Sequence, residues 1–461
     1  MSEFIVIQVG QCGNQIGSAL WPKILQEYDV SLKPKPHNKP LSNQESFSSF
    51  FNVPPTKTDN SYNSLQELVN NKVKARAVCI DMEDGVVARF RNGVLKGLFE
   101  ERCMVTNYPG SGNNWAEGFC EHGPQYQEKI LKSLRHSIER CDSLHGFLML
   151  FSTGGGTGSG LGTFVLNILS EFYPKIERFV SCVYATGTED VITSPYNNAL
   201  ATHQILENAT CVFPVENRCL LEIVARKHKN GINEINMFNA TDDMNSSIVD
   251  MLLHLTSGSR FSGTLNFDMN DINTNMVPYP KMNFISTGFN HLVKSSLIAK
   301  NKSKQLKEEM FLASCNRQNQ LIQIDPLSPK SLLLSSTLIG RGDYTITDLQ
   351  TYIDKLQSKA KFTAWSKKSI KVGLCNVPPN GQTVALFSLF NTTAMYSLFE
   401  HLYKQYNSLY RKRAHIHHYT KINNFDIDFF EESKESLQDM MQKYTELENQ
   451  SPLNIPRLTP Q

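Results

Sequence analysis

A run of glycines follows one of the most apolar stretches of the chain. Six of the nine residues from 154 to 162 are glycine, and the five residues before Ser152 are all apolar. A glycine-rich loop between a buried strand and a helix lets backbone N–H groups converge on an anion, helped by the helix dipole. Packing alone does not explain so many glycines, so the sequence predicts a phosphate site. The alternative is a turn whose glycines only permit close packing of helix against strand.

The spacing of these glycines narrows the kind of phosphate site. The chain contains neither G-x-G-x-x-G nor a Gly-Lys pair, which excludes the Rossmann fingerprint and the Walker P-loop. Because no lysine is at hand, backbone dipoles and a metal ion must neutralise the phosphate charge. A dinucleotide-dependent oxidoreductase fits the alternation of strands and helices described below, but its glycine motif is missing.

Three further segments carry polar groups at the ends of predicted strands. Gly10–Gln15 and Gly110–Trp115 combine glycines with amide side chains. Asp81 and Glu83 end another strand, where carboxylates can hold Mg²⁺ against a triphosphate, directly or through water. Each signal is weak alone, but together with the glycine run they predict a nucleotide pocket.

The elements that position these residues alternate between strand and helix through the first half of the chain. This alternation predicts a parallel α/β sheet with its ligand at the carboxyl ends of the strands. Strands are predicted at 4–9, 75–80, 147–151 and 179–184, and helices after Gly13, at 126–141 and from about Leu161. In the second half, strands and helices are mixed, and two helical patterns at 395–412 and 431–448 close the chain.

These patterns divide the chain into four regions. The expected fold class is α/β, with an N-terminal parallel-sheet nucleotide-binding domain, an α+β intermediate domain and a C-terminal helical hairpin. The expected boundaries are 1–220, 221–255 for a linking helix region, 256–394, and 395–461 for the helical region and tail. Residues 31–64 are rich in Pro, Ser and Asn. They are predicted to form a loop insertion that contributes nothing to the core.

Composition limits the class of protein. The chain has 461 residues with 46 Lys+Arg against 44 Asp+Glu, and this near-neutrality argues against binding to nucleic acid. Its ten cysteines include no C-x-x-C pair, which favours a reducing compartment and excludes the usual structural zinc sites. No apolar stretch approaches the ~20 residues of a membrane helix, and Phe4–Val9 lacks a signal-peptide layout. A soluble cytoplasmic protein is expected.

The motifs resemble those of the tubulin family. GQCGNQIG at 10–17, SGNNWAEG at 111–118 and GGGTGSGLGT at 154–163 are similar to three of its nucleotide loops. The resemblance covers nearly the whole chain and continues through PYNNAL at 195–200, RFSGTLNFD at 260–268, NMVPYP at 275–280, RGD at 341–343 and YRKRAHIHHYT at 410–420. Within the family, the insertion at 31–64, the DVITSPYN and HIHHY segments and the plain tail are most similar to the epsilon branch.

The resemblance implies GTP or GDP as ligand, with Mg²⁺, and assigns roles by position. Gln11 and Cys12 would contact the phosphates or the base, and Ser152 and Asn113 would make further hydrogen bonds. The phosphates would be held by the loop residues Gly154, Gly155, Gly156, Thr157 and Gly158. Asp81 and Glu83 would hold the metal shell, and Asp190 would lie by the ribose. Asn217 and Asn245 would read the guanine edge, since an amide can pair with O6 and a ring nitrogen.

Two positions depart from the family pattern. Ser194 stands where most members carry a second carboxylate near the ribose, and Thr241 stands where an aromatic ring usually stacks on the base, with Phe238 close by in sequence. Both departures affect the expected affinity and base selectivity.

The resemblance also implies where hydrolysis would be completed. In tubulins the acid that activates water comes from the next subunit along the protofilament, and Asp271 and Asp268 occupy the corresponding segment here. Asp is one methylene shorter than Glu, and a misplacement of about 1 Å can cost about a hundredfold in rate. The alternative for Asp271 is a solvated helix charge, and the alternative for the protein is a structural subunit that holds nucleotide without turnover.

Two basic segments receive structural interpretations. His415, His417 and His418 do not share one helix face and have no acidic or thiol neighbour in sequence, so an interface segment is favoured over a metal site. The charges in Tyr410–Arg413 suit a helix C-terminus better than a nucleic-acid site. The expected protein is therefore a GTP-binding cytoskeletal subunit of the cytoplasm at the centrosome, centriole or basal body. Its expected partners are other tubulins and microtubule or centriole proteins, with no nucleic acid or membrane.

Overall fold

The computed structural model describes residues 2–32, 46–54, 62–185, 191–229, 240–290 and 303–449. A six-stranded sheet has the order β5-β4-β1-β6-β7-β8 and is parallel throughout. Its strands are β1 (Glu3–Val9), β4 (Ala77–Asp81), β5 (Met104–Thr106), β6 (Leu144–Ser152), β7 (Glu177–Tyr184) and β8 (Cys211–Glu216). Helices cover both faces of this sheet, so most side chains of the central strands are apolar and buried, as in Phe147–Phe151 of β6.

A second sheet, of four strands, belongs to the later half of the chain. It has the order β11-β10-β12-β9, in which β10 is parallel to β11 and β12 is antiparallel to both β10 and β9. The strands are β9 (Ser286–Phe289), β10 (Leu333–Gly342), β11 (Lys371–Cys375) and β12 (Val384–Thr392). Separately, β2 (Phe51–Asn52) and β3 (Lys74–Ala75) form a short antiparallel pair.

The helices of the first half are α1 (Gly10–Glu27), α2 (Leu65–Asn70), α3 (Asp84–Asn92), α4 (Gly123–Ile138), α5 (Gly162–Phe172), α6 (Ser194–Asn208) and α7 (Asn217–Lys229). Those of the second half are α8 (Ala240–Leu255), α9 (Ser257–Arg260), α10 (Met269–Met276), α11 (Ser303–Cys315), α12 (Ile346–Lys359), α13 (Tyr396–Tyr410), α14 (His417–Thr420) and α15 (Asp428–Asn449). The parallel sheet, the mixed second region and the two long C-terminal helices confirm the predicted fold class. The four domain boundaries stay a prediction. None of the helices in the described ranges is long and apolar enough to cross a membrane.

The prediction that residues 31–64 contribute nothing to the core is wrong. Phe47, Phe50, Phe51 and Tyr62 are at most 1 % exposed and belong to the main core cluster beneath α1. The Phe47 and Phe51 rings stack at 4.3 Å, and Tyr28, which follows the last residue of α1, packs edge-on against Phe47. The prediction relied on a composition rich in Pro, Ser and Asn. It gave too little weight to the aromatic rings, each of which contributes a large apolar surface.

A buried ion-pair cluster joins the two sheets. Glu27, at the end of α1, pairs with Arg260 at 2.5 Å and with Arg341 of β10 at 3.0 Å, and all three side chains are fully buried. Both arginines also donate to the carbonyl of Leu253. Removing any one member would leave buried charge without compensation. The RFSG and RGD motifs of the resemblance therefore contain residues that hold the sheets together.

Candidate functional site

The site forms where the order of strands reverses in the parallel sheet. β1 and β6 are neighbours in the sheet. β4 and β5, which lie between them in sequence, are on the other side of β1. In open α/β sheets, ligands bind in the crevice outside the carboxyl ends of such strands. Here β1 runs directly into α1 at Gly10, and β6 ends at Ser152 before the glycine run.

A cavity of ≈ 260 Å³ opens at this position. Its wall comes from the starts of α1, α6, α7 and α8 and from the loop after β6. Six of the predicted ligand-binding residues line it, namely Cys12, Ser152, Gly154, Gly155, Asn217 and Asn245. The remaining wall includes apolar side chains that suit the face of a base, such as Leu220, Met244 and Ile248.

Most glycines of the run are required by close packing, contrary to the expectation from sequence. A Cβ on Gly156 would lie 2.5 Å from the Ser111 carbonyl oxygen, and one on Gly158 would lie 2.7 Å from that of Ser152. Gly10, with φ of +70°, likewise leaves no room for a Cβ against Gly158. Gly155 differs, because its Cβ would meet only the Asn113 side chain, at 3.9 Å. The run therefore serves close packing and also leaves open space for a ligand at Gly155.

A turn of π-helix connects the glycine run to α5. It covers Thr157–Leu161 and packs against a second π-turn at Glu117–His122. The Ser111 hydroxyl bonds both Thr157 Oγ1, at 3.1 Å, and His122 Nδ1, at 2.9 Å. The predicted start near Leu161 thus missed one turn, since π-turns have no simple hydrophobic period. The turn fixes Thr157 next to the loop that contains Asn113.

Asn197 of α6 connects the loops of the site through four hydrogen bonds. Its amide nitrogen donates to the carbonyls of Asn113, at 2.8 Å, and Gly154, at 2.9 Å. Its amide oxygen accepts from the Trp115 backbone N–H, at 3.0 Å, and the Tyr419 hydroxyl, at 2.6 Å. All of its hydrogen-bonding capacity in this fully buried position is used. Asn113 itself is exposed, with φ of +56°.

Asp81 is buried at the carboxyl end of β4, beside β1. Its Oδ1 accepts from the Glu83 backbone N–H at 3.3 Å, while its buried Oδ2 has no hydrogen-bond partner. Burial raises the pKa of the Asp81 carboxyl to about 7, and the nearby charge of Glu83 also raises it. An unpartnered buried oxygen of this kind fits a cation or a metal-bound water. Asp81, together with the exposed Glu83, therefore suits a Mg²⁺ shell, and the ion would neutralise phosphate charge there.

Cys12 lines the cavity as a protonated thiol. Burial raises its pKa to about 12, although a hydrogen bond with Ser152 acts in the opposite direction. A thiol with so high a pKa is a poor nucleophile at neutral pH. This agrees with the interpretation of Cys12 as a residue that lines the pocket.

Asp268 and Asp271 lie at the opposite end of β1 from the cavity. The hydroxyl of Ser2, which precedes β1, donates to Asp268 Oδ2 at 3.1 Å. β1 has seven residues and so spans ~23 Å, which puts these carboxylates out of reach of the chain's own pocket. The two aspartates form a capping box on α10, in which each accepts a hydrogen bond from the other's backbone N–H.

Comparison with known proteins agrees with this geometry. Residues 3–225 match the model of the Tubulin/FtsZ family GTPase domain, and residues 280–404 match the tubulin C-terminal domain. The chain is 37 % identical to the tubulin epsilon chain of Mus musculus, over 99 % of this chain and 98 % of that protein. It is 36 % identical to the tubulin epsilon chain of Homo sapiens, over 100 % and 99 %. The tubulin beta-1 chain of Homo sapiens is 30 % identical, over 97 % and 95 %.

The chain belongs to the tubulin family. It is more similar to the two epsilon chains than to the beta-1 chain, as the resemblance predicted. Membership in a family with a GTPase domain implies that the chain binds GTP or GDP.

The remaining predicted site residues differ in their position relative to the cavity. Gln11 is exposed at the start of α1 and does not line the cavity, whereas Gln15, one turn later, does. Asp190, the predicted ribose contact, lies outside the described residues, as does Phe238. Ser194 and Thr241, which depart from the family pattern, both line the cavity. The Ser194 hydroxyl is buried without a hydrogen-bond partner, so it is available to a ligand group.

Sequence reasoning missed the structural roles of Asn197 and of its neighbour Asn198. Asn198 accepts from the Thr153 hydroxyl at 2.7 Å and so supports the loop that follows β6. The PYNNAL motif was the available signal, but nothing local to it indicates partners at Gly154 or Tyr419. The histidine-rich segment contributes through its backbone, because the His418 carbonyl accepts from the Asn114 side chain at 2.9 Å.

Proposed function

We propose that this tubulin-family chain binds GTP or GDP with Mg²⁺ and acts as a structural subunit in centriole or basal-body assembly or duplication. The observation that carries the nucleotide part is the cavity at the strand reversal, which collects six predicted ligand-binding residues. The cellular part rests on the similarity to tubulin epsilon chains. The proposed partners are other tubulin subunits and microtubule, centriole or basal-body proteins.

Within the proposed pocket, each wall has a separate task. The amides of Asn217 and Asn245 would read the guanine edge, and the open backbone at Gly155 would approach the phosphates. Ser152 would add a hydrogen bond, and Asp81 with Glu83 would hold the ion that neutralises the phosphates. Asp190 remains the proposed ribose contact.

We further propose that hydrolysis, if it occurs, is completed by a neighbouring subunit. The separation of ~23 Å along β1 supports this, since Asp271 cannot reach the pocket of its own chain. In a head-to-tail assembly the exposed Asp271 of one subunit would face the nucleotide of the next and polarise an attacking water. Asp268 would act mainly by holding the start of α10.

A structural subunit without turnover is the second candidate, and one observation favours it. Asp271 Oδ2 already accepts the Asp268 backbone N–H at 3.1 Å, so part of its capacity is used by the helix cap. A carboxylate engaged in this way, and one methylene shorter than glutamate, is a weaker candidate for activating water.

The identity of the nucleotide tests the proposal directly. Purified full-length protein is denatured, and the released nucleotide is separated by anion-exchange chromatography. A guanine nucleotide is expected, and its retention should fall when Mg²⁺ is chelated. Finding adenine nucleotide, or none in well-folded protein, would refute the proposal.

Turnover separates the two candidates. Asp271→Ala protein is assembled with tubulin partners, and phosphate release is compared with wild type and with Asp354→Ala, which removes an exposed aspartate from α12. Loss of phosphate release in Asp271→Ala alone supports hydrolysis in trans. Equal release in all three favours the structural subunit.

Microscopy tests the cellular part. A tagged full-length chain is expected in the cytoplasm with enrichment at the centrosome, centriole or basal body, and its depletion should reduce the number of basal bodies. Uniform distribution together with normal basal-body number would refute the assignment.

A further inference from the structure

Three side chains with metal-binding atoms converge beneath α4, away from the nucleotide cavity. Glu100 and Cys103 are the two ends of a tight turn, closed by a hydrogen bond from the Cys103 N–H to the Glu100 carbonyl at 3.0 Å. His136 of α4 reaches the turn, with its Nε2 2.5 Å from Glu100 Oε2. The ligand atoms of all three lie within 4.8 Å of one another, and no other group of three among the described residues does so.

The chemistry of this group suits zinc. It offers one nitrogen, one sulfur and one oxygen atom, which together match the ligands that Zn²⁺ prefers. Cys103 is 5 % exposed, and the side chains of Glu100 and His136 are 15 % and 23 % exposed, so the site is sheltered but reachable. We propose that Glu100, Cys103 and His136 bind a Zn²⁺ ion, with water as the fourth ligand.

Neighbouring residues already orient two of the ligands. Arg140, one turn beyond His136, pairs with Glu100 Oε1 and leaves Oε2 facing the histidine. The Ser137 hydroxyl lies 3.3 Å from Cys103 Sγ and can donate to a thiolate. Such outer partners fix ligand orientation in known metal sites. The turn itself is fixed to α4, because the Ser133 hydroxyl donates to the Arg102 carbonyl at 2.8 Å.

When the metal ion binds, the Cys103 thiol loses its proton to solvent and the hydrogen bond between Glu100 and His136 is lost. The proton of that hydrogen bond moves through solvent to His136 Nδ1, so that the unprotonated Nε2 and Glu100 Oε2 can both turn toward the ion. With ligand distances of about 2.0–2.3 Å, their separation must grow from 2.5 Å to roughly 3.3 Å, a side-chain adjustment. The thiolate and the carboxylate then balance the two charges of Zn²⁺.

The site lies at the amino end of β5, whereas the nucleotide cavity lies at the carboxyl ends of the strands. The proposed metal is therefore separate from the Mg²⁺ of the nucleotide. The sequence contains no C-x-x-C pair, and an E-x-x-C turn with a histidine 33 residues later is not a recognised zinc pattern.

Cobalt titration of the full-length chain tests the proposal. Co²⁺ substitutes for Zn²⁺ and gives visible bands in a tetrahedral site and an ultraviolet charge-transfer band when a thiolate coordinates it. One equivalent of Co²⁺ is expected to produce both signals, and Zn²⁺ should abolish them. Cys103→Ser should remove the charge-transfer band, and His136→Ala should weaken binding by more than the roughly 10- to 100-fold cost of losing an outer partner.

Controls make the result decisive. Cys141→Ser removes a half-buried thiol close in sequence to His136 but outside the cluster, and it should leave the titration unchanged. If Cys103→Ser fails to fold, His136→Ala and Glu100→Gln carry the test, since both side chains are partly exposed. No charge-transfer band in wild type, a band that survives in Cys103→Ser, or unchanged Co²⁺ affinity in His136→Ala would overturn the assignment.

Discussion

Carboxylates lie near both ends of β1, and they differ in burial and in hydrogen bonding. At the carboxyl end, Asp81 on neighbouring β4 is buried, has an oxygen without a partner, and has its pKa raised to about 7. At the amino end, Asp268 and Asp271 cap α10 and satisfy each other's backbone N–H groups. Asp268 accepts three hydrogen bonds, from Ser2, Asn270 and the backbone of Asp271.

The difference separates two ways of using an acid. Asp81 costs the isolated chain stability and is compensated only when a cation or proton arrives, as expected of a ligand-binding group. The capping pair stabilises its own helix and offers only its exposed edge to another molecule. The buried carboxylate near the cavity thus needs a small ligand to compensate its charge. The carboxylates at the other end of β1 have their hydrogen-bond partners within the chain. The following substitutions test this contrast, from the largest expected effect to the smallest.

Asn197→Ala should have the largest effect, because it breaks the network at the carboxyl end. It removes four hydrogen bonds, including those to the buried Trp115 N–H and to the Gly154 carbonyl, at a cost of roughly 3–5 kcal/mol in the free energy of unfolding. Chemical denaturation would measure this loss, and nucleotide retention should fall with it. Asn208→Ala, on the same helix, removes only local bonds to Gln204 and should cost much less. Equal losses in the two variants would contradict the role of Asn197.

Asp81→Asn should change how stability depends on pH. The folded-state pKa of about 7 lies above the unfolded value of 3.8, so the wild-type carboxyl is neutral in both states below pH 4. Stability then falls as pH rises from about 4 to about 7, and the loss is complete above that range. In EDTA, Asp81→Asn should therefore be more stable than wild type at pH 8, by on the order of 3–4 kcal/mol at most, and equal to it near pH 4.

The same variant should respond differently to metal. Mg²⁺ with nucleotide should stabilise wild type at pH 8 and stabilise Asp81→Asn far less, as thermal melts would show. Asp84→Asn is the matched control, since Asp84 is exposed and pairs with Arg91. If Asp84→Asn loses the metal response and Asp81→Asn keeps it, the ion does not bind at Asp81.

Asp268→Ala should cost about 1 kcal/mol of stability, the usual effect of losing an N-cap. Asp268→Asn should restore most of this loss, because Asn caps helices equally well. Neither change should alter nucleotide binding by the isolated chain, since the cavity lies at the other end of β1. A loss of nucleotide in Asp268→Asn would disprove the separation of the two ends.

Asp271→Asn should have the smallest effect, a few tenths of a kcal/mol at this exposed helix start. Its backbone N–H still binds Asp268, so α10 keeps its main cap. A loss above about 1 kcal/mol in urea denaturation would mean that Asp271 is mainly a structural residue.

Local patterns in the sequence predicted much of the fold. Short apolar runs gave β1, β6 and β7 because strands buried on both faces need apolar side chains throughout. The glycine run and the amide-rich loops located the cavity, because parallel strands bring their carboxyl ends together. These signals depend on neighbours within about ten residues.

What the sequence did not reveal depends on distant partners. Asn197 bonds Tyr419 across 222 residues, and no periodicity reports such a pair. The phosphate interpretation of the glycine run was favoured over close packing because the loop from 111 to 118, which packs against the run, cannot be placed by pattern alone. The zinc cluster joins a turn and a helix 33 residues apart, and its members have no recognised spacing.

The aromatic residues of the 31–64 segment have a consequence for the design of shortened chains. Ser31 and Ser64 pair as neighbouring backbone positions, so the two ends of the segment lie side by side. A deletion that joins these positions would need no stretching of the chain. It would nevertheless remove Phe47, Phe50, Phe51 and Tyr62 and open a void beside Tyr28, where a single Phe→Ala change typically costs 3–5 kcal/mol. The segment is not needed to connect Ser31 to Ser64, but its aromatic rings fill space in the core. A shortened chain that folds must therefore keep these rings.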